Sequence, residues 1–193
     1  MSALGVLEIT NFLNKLTDEQ IIGFNKGEYK IVPVEKPKIL EKVAEIKIPA
    51  IRRFNASKKF KIDPPYGRVQ IYSLQDSFKN IFLNKIEDPI ASSSLKIYKN
   101  LVPFPDQETI IAEIGDSNET TLGQLYYLMS LQPRGEEGRL LTNGTANIFY
   151  IRSISKDLEC VVVNWFGSGW NLGAYSITCT HCTWHAGRQI FCR

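Results

Sequence analysis

Apolar residues recur at helical spacing near the start of the chain, where Val6, Ile9, Leu13 and Leu16 fall three or four positions apart. Thr17 and Gln20 then form a capping-box pair that predicts a second short helix, and Gly27 stands where that helix would stop. The following stretch, EYKIVPVEKPKILEKVAEIKIPAIRRF, sets Pro33, Pro37 and Pro49 among short apolar runs. Proline cannot donate to a sheet ladder, so this stretch reads as irregular edge strands or a connector. A boundary near residue 55 follows, with a helical and connector region over 1–55 and a second domain over 56–193.

Past that boundary the period drops to two. In YGRVQIYSL, Val69, Ile71 and Ser73 alternate with Gln70 and Tyr72, which predicts a strand over 67–74. Phe78, Ile81, Phe82 and Ile86 make a helical stripe over 76–86, and SLKIYKNLV and ETIIAEIG read as further short strands. Thr121 and Gln124 open a helix over 121–132 that aligns Leu122, Leu125, Leu128 and Met129. RGEEGRLLTNG reads as a solvated loop. ANIFYIRSI after Asn143-Gly144, ECVVVNWF after Lys156-Asp157, GWNLGAYSI after Gly169, and RQIFCR then predict four short antiparallel strands. The fold class expected is α+β: a strand, two helices and an antiparallel sheet, with a small helical N-terminal region.

A chain of 193 residues can bury a sizeable core. The net charge of +3 comes from Lys and Arg spread along the sequence, so no nucleic-acid partner is expected. Lys15, Lys26, Lys30 and Lys36 read as a solvated face. MSALGVLEITNFL lacks a basic segment before an apolar run, and no run of eighteen apolar residues exists. The expectation is a cytoplasmic protein with no membrane partner, whose four Cys are free thiols or metal ligands rather than disulfides.

Residues 164–193 depart from everything before them. They hold all three Trp, both His and three of the four Cys, yet no Asp, Glu, Lys, Met or Pro. Period two sorts them by direction. Val161, Val163, Trp165, Trp170, Leu172, Ala174 and Ser176 point one way, and Trp184, Gly187, Ile190 and Phe191 continue as structural residues. The outward set is Val162, Asn164, Phe166, Gly167, Ser168, Asn171, Gly173, Tyr175, Thr178, Cys179, Thr180, His181, Cys182, Thr183, His185, Ala186, Arg188 and Cys192. Every type in this set is encoded by some codon of the form NNC, and none is Lys, Glu, Gln, Met or Trp, which no such codon encodes.

Alternation of structural Trp, Gly and apolar positions with randomised ones resembles the variable region of target proteins of diversity-generating retroelements, in which adenines of a template are miscopied. GWNLGAYS is similar to that family's Gly-Trp-Asn-x-Asn-Ala-Asn motif, and GRQIFCR is similar to its closing strand. LTDEQIIGFNKGEYKIV and TTLGQLYYLMSLQPRGEEGRLLTNGTANIFYIR resemble segments of such proteins in small-genome uncultivated bacteria. Two positions depart from the pattern: Ser168 interrupts the usual Gly-Gly-Trp, and Cys192 stands where Ser is expected. The resemblance implies a C-type-lectin-like domain over 56–193 with its variable region at about 160–193, whose last strand returns beside the first.

CTHCTWH offers a competing chemistry. Cys179, Cys182 and His185, with His181 and Cys192 nearby, have spacing a tetrahedral zinc site could use, although such sites usually pair two knuckles. That alternative is a small zinc-stabilised protein whose enzymatic or regulatory function lies elsewhere. Cys179 with His185 would lack an orienting carboxylate as a nucleophilic pair, and calcium would lack carboxylate ligands. Cys160 reads as a small buried residue. The leading expectation is a binding module, not an enzyme, with no cofactor and a protein ligand. Its anchors would be Phe166, Tyr175, His181, His185 and Arg188. The oligomeric state is not legible.

Overall fold

The computed structural model describes Thr17, Lys26 and Gly27 and residues 38–62, 68–115, 118–179 and 184–193. The chain divides into two compact units between Pro37 and Lys38. In the first, Gly27 lies in a turn with φ of 72°, a left-handed conformation that glycine adopts without penalty. The helical stripe of Val6 to Leu16 and the expected helix after Thr17 lie outside the described residues.

The second unit is α+β. Its strands are β1 (Leu40–Ile48), β2 (Phe54–Asn55), β3 (Ile71–Leu74), β4 (Ile86–Glu87), β5 (Ser93–Asn100), β6 (Glu119–Thr120), β7 (Asn147–Arg152), β8 (Leu158–Trp165), β9 (Trp170–Ser176) and β10 (Gln189–Cys192). Its helices are α1 (Ala56–Lys59), α2 (Asp76–Phe82), α3 (Gln107–Ile114) and α4 (Leu122–Ser130). Eight strands form one sheet in the order β1-β5-β10-β7-β8-β9-β3, with β6 beside β7, while β2 and β4 pair separately. The unit begins at Lys38 rather than near 55, because β1 is a nine-residue edge strand laid antiparallel to β5.

The four strands expected to be antiparallel are so only in part. β7, β8 and β9 form an antiparallel meander, but β10 runs parallel to β7 and antiparallel to β5. The first strand of the domain is also not where β10 returns. β3 lies at the far edge, parallel to β9. β8 pairs along one whole side of β7, so β10 and β6 share the other: β10 against residues 147–149 and β6 against 150–151.

ETIIAEIG is helical, not extended. Asp106 caps α3 by accepting from the Thr109 amide at 2.6 Å, and Gly115 closes it with φ of 74°. Thr109, Ile110 and Ile111 are β-branched, which is why local preference pointed to a strand; the caps and burial of Ile110 override it. The expected capping box of α4 is present, with the Thr121 hydroxyl accepting from the Gln124 amide at 3.1 Å and the Gln124 side chain accepting from the Thr121 amide at 2.9 Å. Buried Glu87 adds a second anchor, accepting from the amides of Leu122 and Gly123 at 3.0 and 2.9 Å while paired to Lys85 at 2.9 Å. A carboxylate there offsets both the orphan donors and the positive end of the helix.

Helices α1, α2 and α4 cover one face of the sheet, around Phe60, Phe78, Phe82, Phe149, Trp170 and Phe191. A smaller cluster covers the centre of the other face, where Ile110 of α3 meets Ile148, Tyr150, Cys160, Val162 and Ile190. Two-sided burial explains the unbroken apolar runs of β7 and β8, since strands covered on both faces lose the alternation of one-faced ones. RGEEGRLLTNG is partly latched rather than free. The buried Gln132 side chain donates to the carbonyls of Glu136 and Leu140 at 2.7 and 3.0 Å and accepts from the Leu140 amide at 2.8 Å. Gly135, at φ of 72°, lies against the Trp165 indole so closely that a Cβ would collide with it.

Phe191 of β10 stacks on Phe149 of β7, with centroids 4.5 Å apart and planes 9° from parallel. Both rings are fully buried. Phe191→Ala is expected to cost about 3–5 kcal/mol in urea unfolding, the range for emptying a buried aromatic site. A loss under about 1 kcal/mol would show that β10 contributes little to the sheet.

Candidate functional site

The β8–β9 register decides which tail residues share a face. Cys160 sits opposite Tyr175, Val161 opposite Ala174, Val162 opposite Gly173, Val163 opposite Leu172, Asn164 opposite Asn171 and Trp165 opposite Trp170. Directly opposed residues project from the same side of a sheet. Val161, Val163, Trp165, Trp170, Leu172 and Ala174 therefore enter the larger core, and all are buried. Trp165 and Trp170 meet edge to face at 5.3 Å, and the Trp170 indole donates to the Gln132 carbonyl at 3.1 Å. Ser176, expected with this inward set, is exposed at the end of β9.

The other face is divided. Val162 is buried under the smaller cluster, Gly173 is covered by the Gln75 side chain, and Cys192 is fully buried on β10, so these three members of the outward set do not face solvent. Strand alternation gives direction but not cover, and the cover comes from α3, whose Ile110 lies in that cluster and whose sequence has the β-branched residues of a strand. Asn164, Asn171, Cys179 and Arg188 are half-buried; Gly167, Ser168, Thr178, His185 and Ala186 are exposed, as are Phe166 at 56% and Tyr175 at 36%. Thr180, His181, Cys182 and Thr183 lie outside the described residues.

The open positions gather at two places. Phe166, Gly167 and Ser168 form the β8–β9 turn, closed by the Ser168 amide donating to the Phe166 carbonyl at 2.7 Å, with Gly167 at φ of 70°. Gly169 next to it approaches strand β3 so closely that a Cβ would lie 2.7 Å from the Tyr72 amide nitrogen. The second place is an aromatic and cationic group between β9 and β10. Tyr175 lies 6.3 Å from buried Trp184, Arg188 stacks over the Trp184 ring at 4.8 Å, and His185 meets Phe104 at 5.0 Å. Burial pulls the Arg188 guanidinium below its usual range without discharging it near neutrality.

Phe104 was not singled out in the sequence. It is 58% exposed, adopts φ of 58°, and its amide donates to the Trp184 carbonyl at 2.7 Å. The available signal was an aromatic set between Pro103 and Pro105 in a loop. Asn100 was missed too. This fully buried side chain donates to the Trp184 and His185 carbonyls at 3.5 and 3.1 Å, while its backbone exchanges hydrogen bonds with Gly187 and Arg188. One residue of β5 thereby fixes the path of 184–188.

Cys179 is disulfide-bonded, against the expectation of free thiols or metal ligands. A sulfur in a disulfide is not the thiolate that zinc binding or nucleophilic attack requires. Among the described residues no group of three or more His, Cys, Asp or Glu is placed to hold a metal ion. Cys160 and Cys192 are buried thiols; burial raises both, Cys192 to about 11 and Cys160 further.

Two outcomes are expected. Asn100→Ala removes the clamp and should cost about 1–3 kcal/mol, with faster hydrogen exchange at Gly187 and Phe104 and unchanged exchange in β7 and β8. Cys160 and Cys192 should resist a thiol reagent at about pH 8, where both stay protonated and covered, and react once the chain unfolds. Reaction of either in the native protein at the rate of a free thiol would contradict its placement. Compared with protein-family models, with curated proteins and with solved structures, the chain matches none.

Proposed function

We propose that the chain is a ligand-binding protein displaying a diversified surface on a rigid sheet, the target protein of a diversity-generating retroelement, with a C-type-lectin-like domain in its second unit. The observation that carries this reading is the sorting of tail side chains. Val161, Val163, Trp165, Trp170, Leu172 and Ala174 hold the core, while Phe166, Gly167, Ser168, Tyr175, Thr178, His185 and Ala186 face water. A surface that is to be rewritten needs that separation, because replacements at exposed positions away from caps and networks change stability little. β3, α2, α4 and β7 to β10 follow one another in the chain order that the lectin-like reading calls for, with β4, β5, α3 and β6 inserted between α2 and α4.

Surface composition favours recognition over chemistry. Phe104, Phe166 and Tyr175 supply large rigid contact area, Arg188 a fixed fork of donors, and Ser168 and Thr178 small adaptable hydrogen-bonding groups. Antibody paratopes combine the same kinds of group. The ligand class proposed is a protein surface, and no catalytic step or cofactor belongs to the reading. The zinc alternative loses Cys179 as a ligand. None of the described helices is long and apolar enough to cross a membrane. A cytoplasmic location is weighed against by the disulfide at Cys179, since the cytosol usually keeps thiols reduced.

Two libraries test the proposal. Randomising Phe166, Ser168, Tyr175, Thr178, His185 and Ala186 should leave most clones melting within about 2 °C of the parent and yield binders on selection against unrelated proteins. Randomising Val161, Val163, Trp170 and Leu172 should leave most clones unfolded. Equal losses in both libraries would sink the reading. Its genetic half requires a near-copy of the tail's coding sequence beside a reverse transcriptase gene, with differences confined to adenines of that copy.

A further inference from the structure

Away from the tail, four cations surround one hollow. Lys58 and Lys59 end α1, Lys61 follows it, and Arg68 precedes β3; with Tyr126 and Ser130 of α4 they line a concavity of about 640 Å³. The ion pairs among the described residues are Lys42 with Glu45, Lys79 with Asp76, Lys85 with Glu87, and Arg152 with Glu119, so among the described residues none of the four has a carboxylate partner. The intervening sequence contributes a single carboxylate, Asp63, which lies outside the described residues. Uncompensated like charges round a concave wall repel one another and focus a positive potential into it. A multivalent anion relieves that repulsion.

The wall is built rather than fluid. Tyr126 is half-buried and packed edge to face on Phe60 at 5.5 Å, with the Lys59 ammonium 5.5 Å from its ring centre. Phe60 in turn meets Phe78 at 5.2 Å. Lysine ammonium groups act as point charges toward phosphate, arginine adds a bidentate fork, and the Tyr126 hydroxyl offers a neutral donor, while the Ser130 hydroxyl already donates to the Tyr127 carbonyl at 2.6 Å. The volume falls within the range of small-molecule sites, about 300–1,000 Å³. A nucleic-acid strand would call for stacking faces along an extended track, and here the tyrosine ring is already occupied by Lys59.

We infer that this hollow binds a small molecule carrying two or more phosphoryl groups, at a site separate from the tail. Calorimetric titration with inorganic tripolyphosphate, at about 0.1 M salt to screen distant charges, tests it. Wild-type protein should show one saturable site. Lys58→Gln/Lys61→Gln/Arg68→Gln should bind at least about tenfold more weakly, a loss of about 1.4 kcal/mol. Lys38→Gln/Lys47→Gln/Lys99→Gln lowers net charge equally elsewhere and should bind as wild type does. All six side chains are exposed, so both variants should keep the parent's melting curve. ATP binding as tightly as tripolyphosphate would support free phosphates as the recognised groups, and tighter ATP binding would support a nucleotide. No saturable binding up to about 1 mM, equal weakening in both variants, or preference for a mixed-sequence oligonucleotide would overturn the inference.

Discussion

The sheet depends on one short strand arriving between two others. β10 joins the β1-β5 pair to the β7-β8-β9-β3 group, and without it the sheet order separates into those two parts. Hydrogen bonds on both its edges hold the backbone, and the stack of Phe191 on Phe149 holds it from one face. Because Ile190 joins the opposite cluster while Phe191 joins the larger one, this strand ties the two cores together. Ahead of β10, Asn100 adds a fixed point to residues 184–188 through its bonds to Trp184, His185, Gly187 and Arg188. A segment so anchored can change its exposed side chains, His185 and Ala186, with little change in its path.

Direction along a strand was legible because it follows from the period of the backbone. Val161, Val163, Trp165, Trp170, Leu172 and Ala174 needed only alternation and apolar character to be placed. The α4 helix was legible for a similar reason, since Thr121 and Gln124 are four-residue chemistry that needs no distant partner. Cys160 also lies buried, as its strand context implied. Exposure was not legible in the same way, because it depends on what lands on the face. Val162 faces away from the main core, yet is covered beside Ile110 of α3, a helix whose β-branched residues disguised it.

Parallel pairing was hidden for a related reason. Nothing local in RQIFCR distinguishes a strand that extends a meander from one inserted between strands at residues 93–100 and 147–152. The connector over 38–55 shows the same limit: its one proline, Pro49, directly follows β1, which is an edge strand, but the partner β5 lies far along the sequence. Gly135 and Gly138 read as loop punctuation, whereas their lack of a side chain lets one lie on Trp165 and the other on Gln132. Long-range cover, pairing and close approach are properties of pairs of segments, and a single segment carries only half of each.

The three covered positions matter for the proposed reading. Val162, Gly173 and Cys192 satisfy the same codon pattern as their exposed neighbours, yet two lie in cores and one beneath Gln75. At Gly173 the obstacle is the end of a flexible side chain, which can move aside at small cost. At Val162 and Cys192 a larger or charged residue would have to displace packed neighbours or be buried without a partner, each costing on the order of 1–3 kcal/mol or more. A domain is stable by only about 5–15 kcal/mol, so rewriting those two positions draws on the same reserve that β10 and Asn100 maintain. Under diversification, then, the anchoring of the tail is not separate from its variability: the tighter the fixed residues hold, the more of the nominally variable positions can change before the sheet opens.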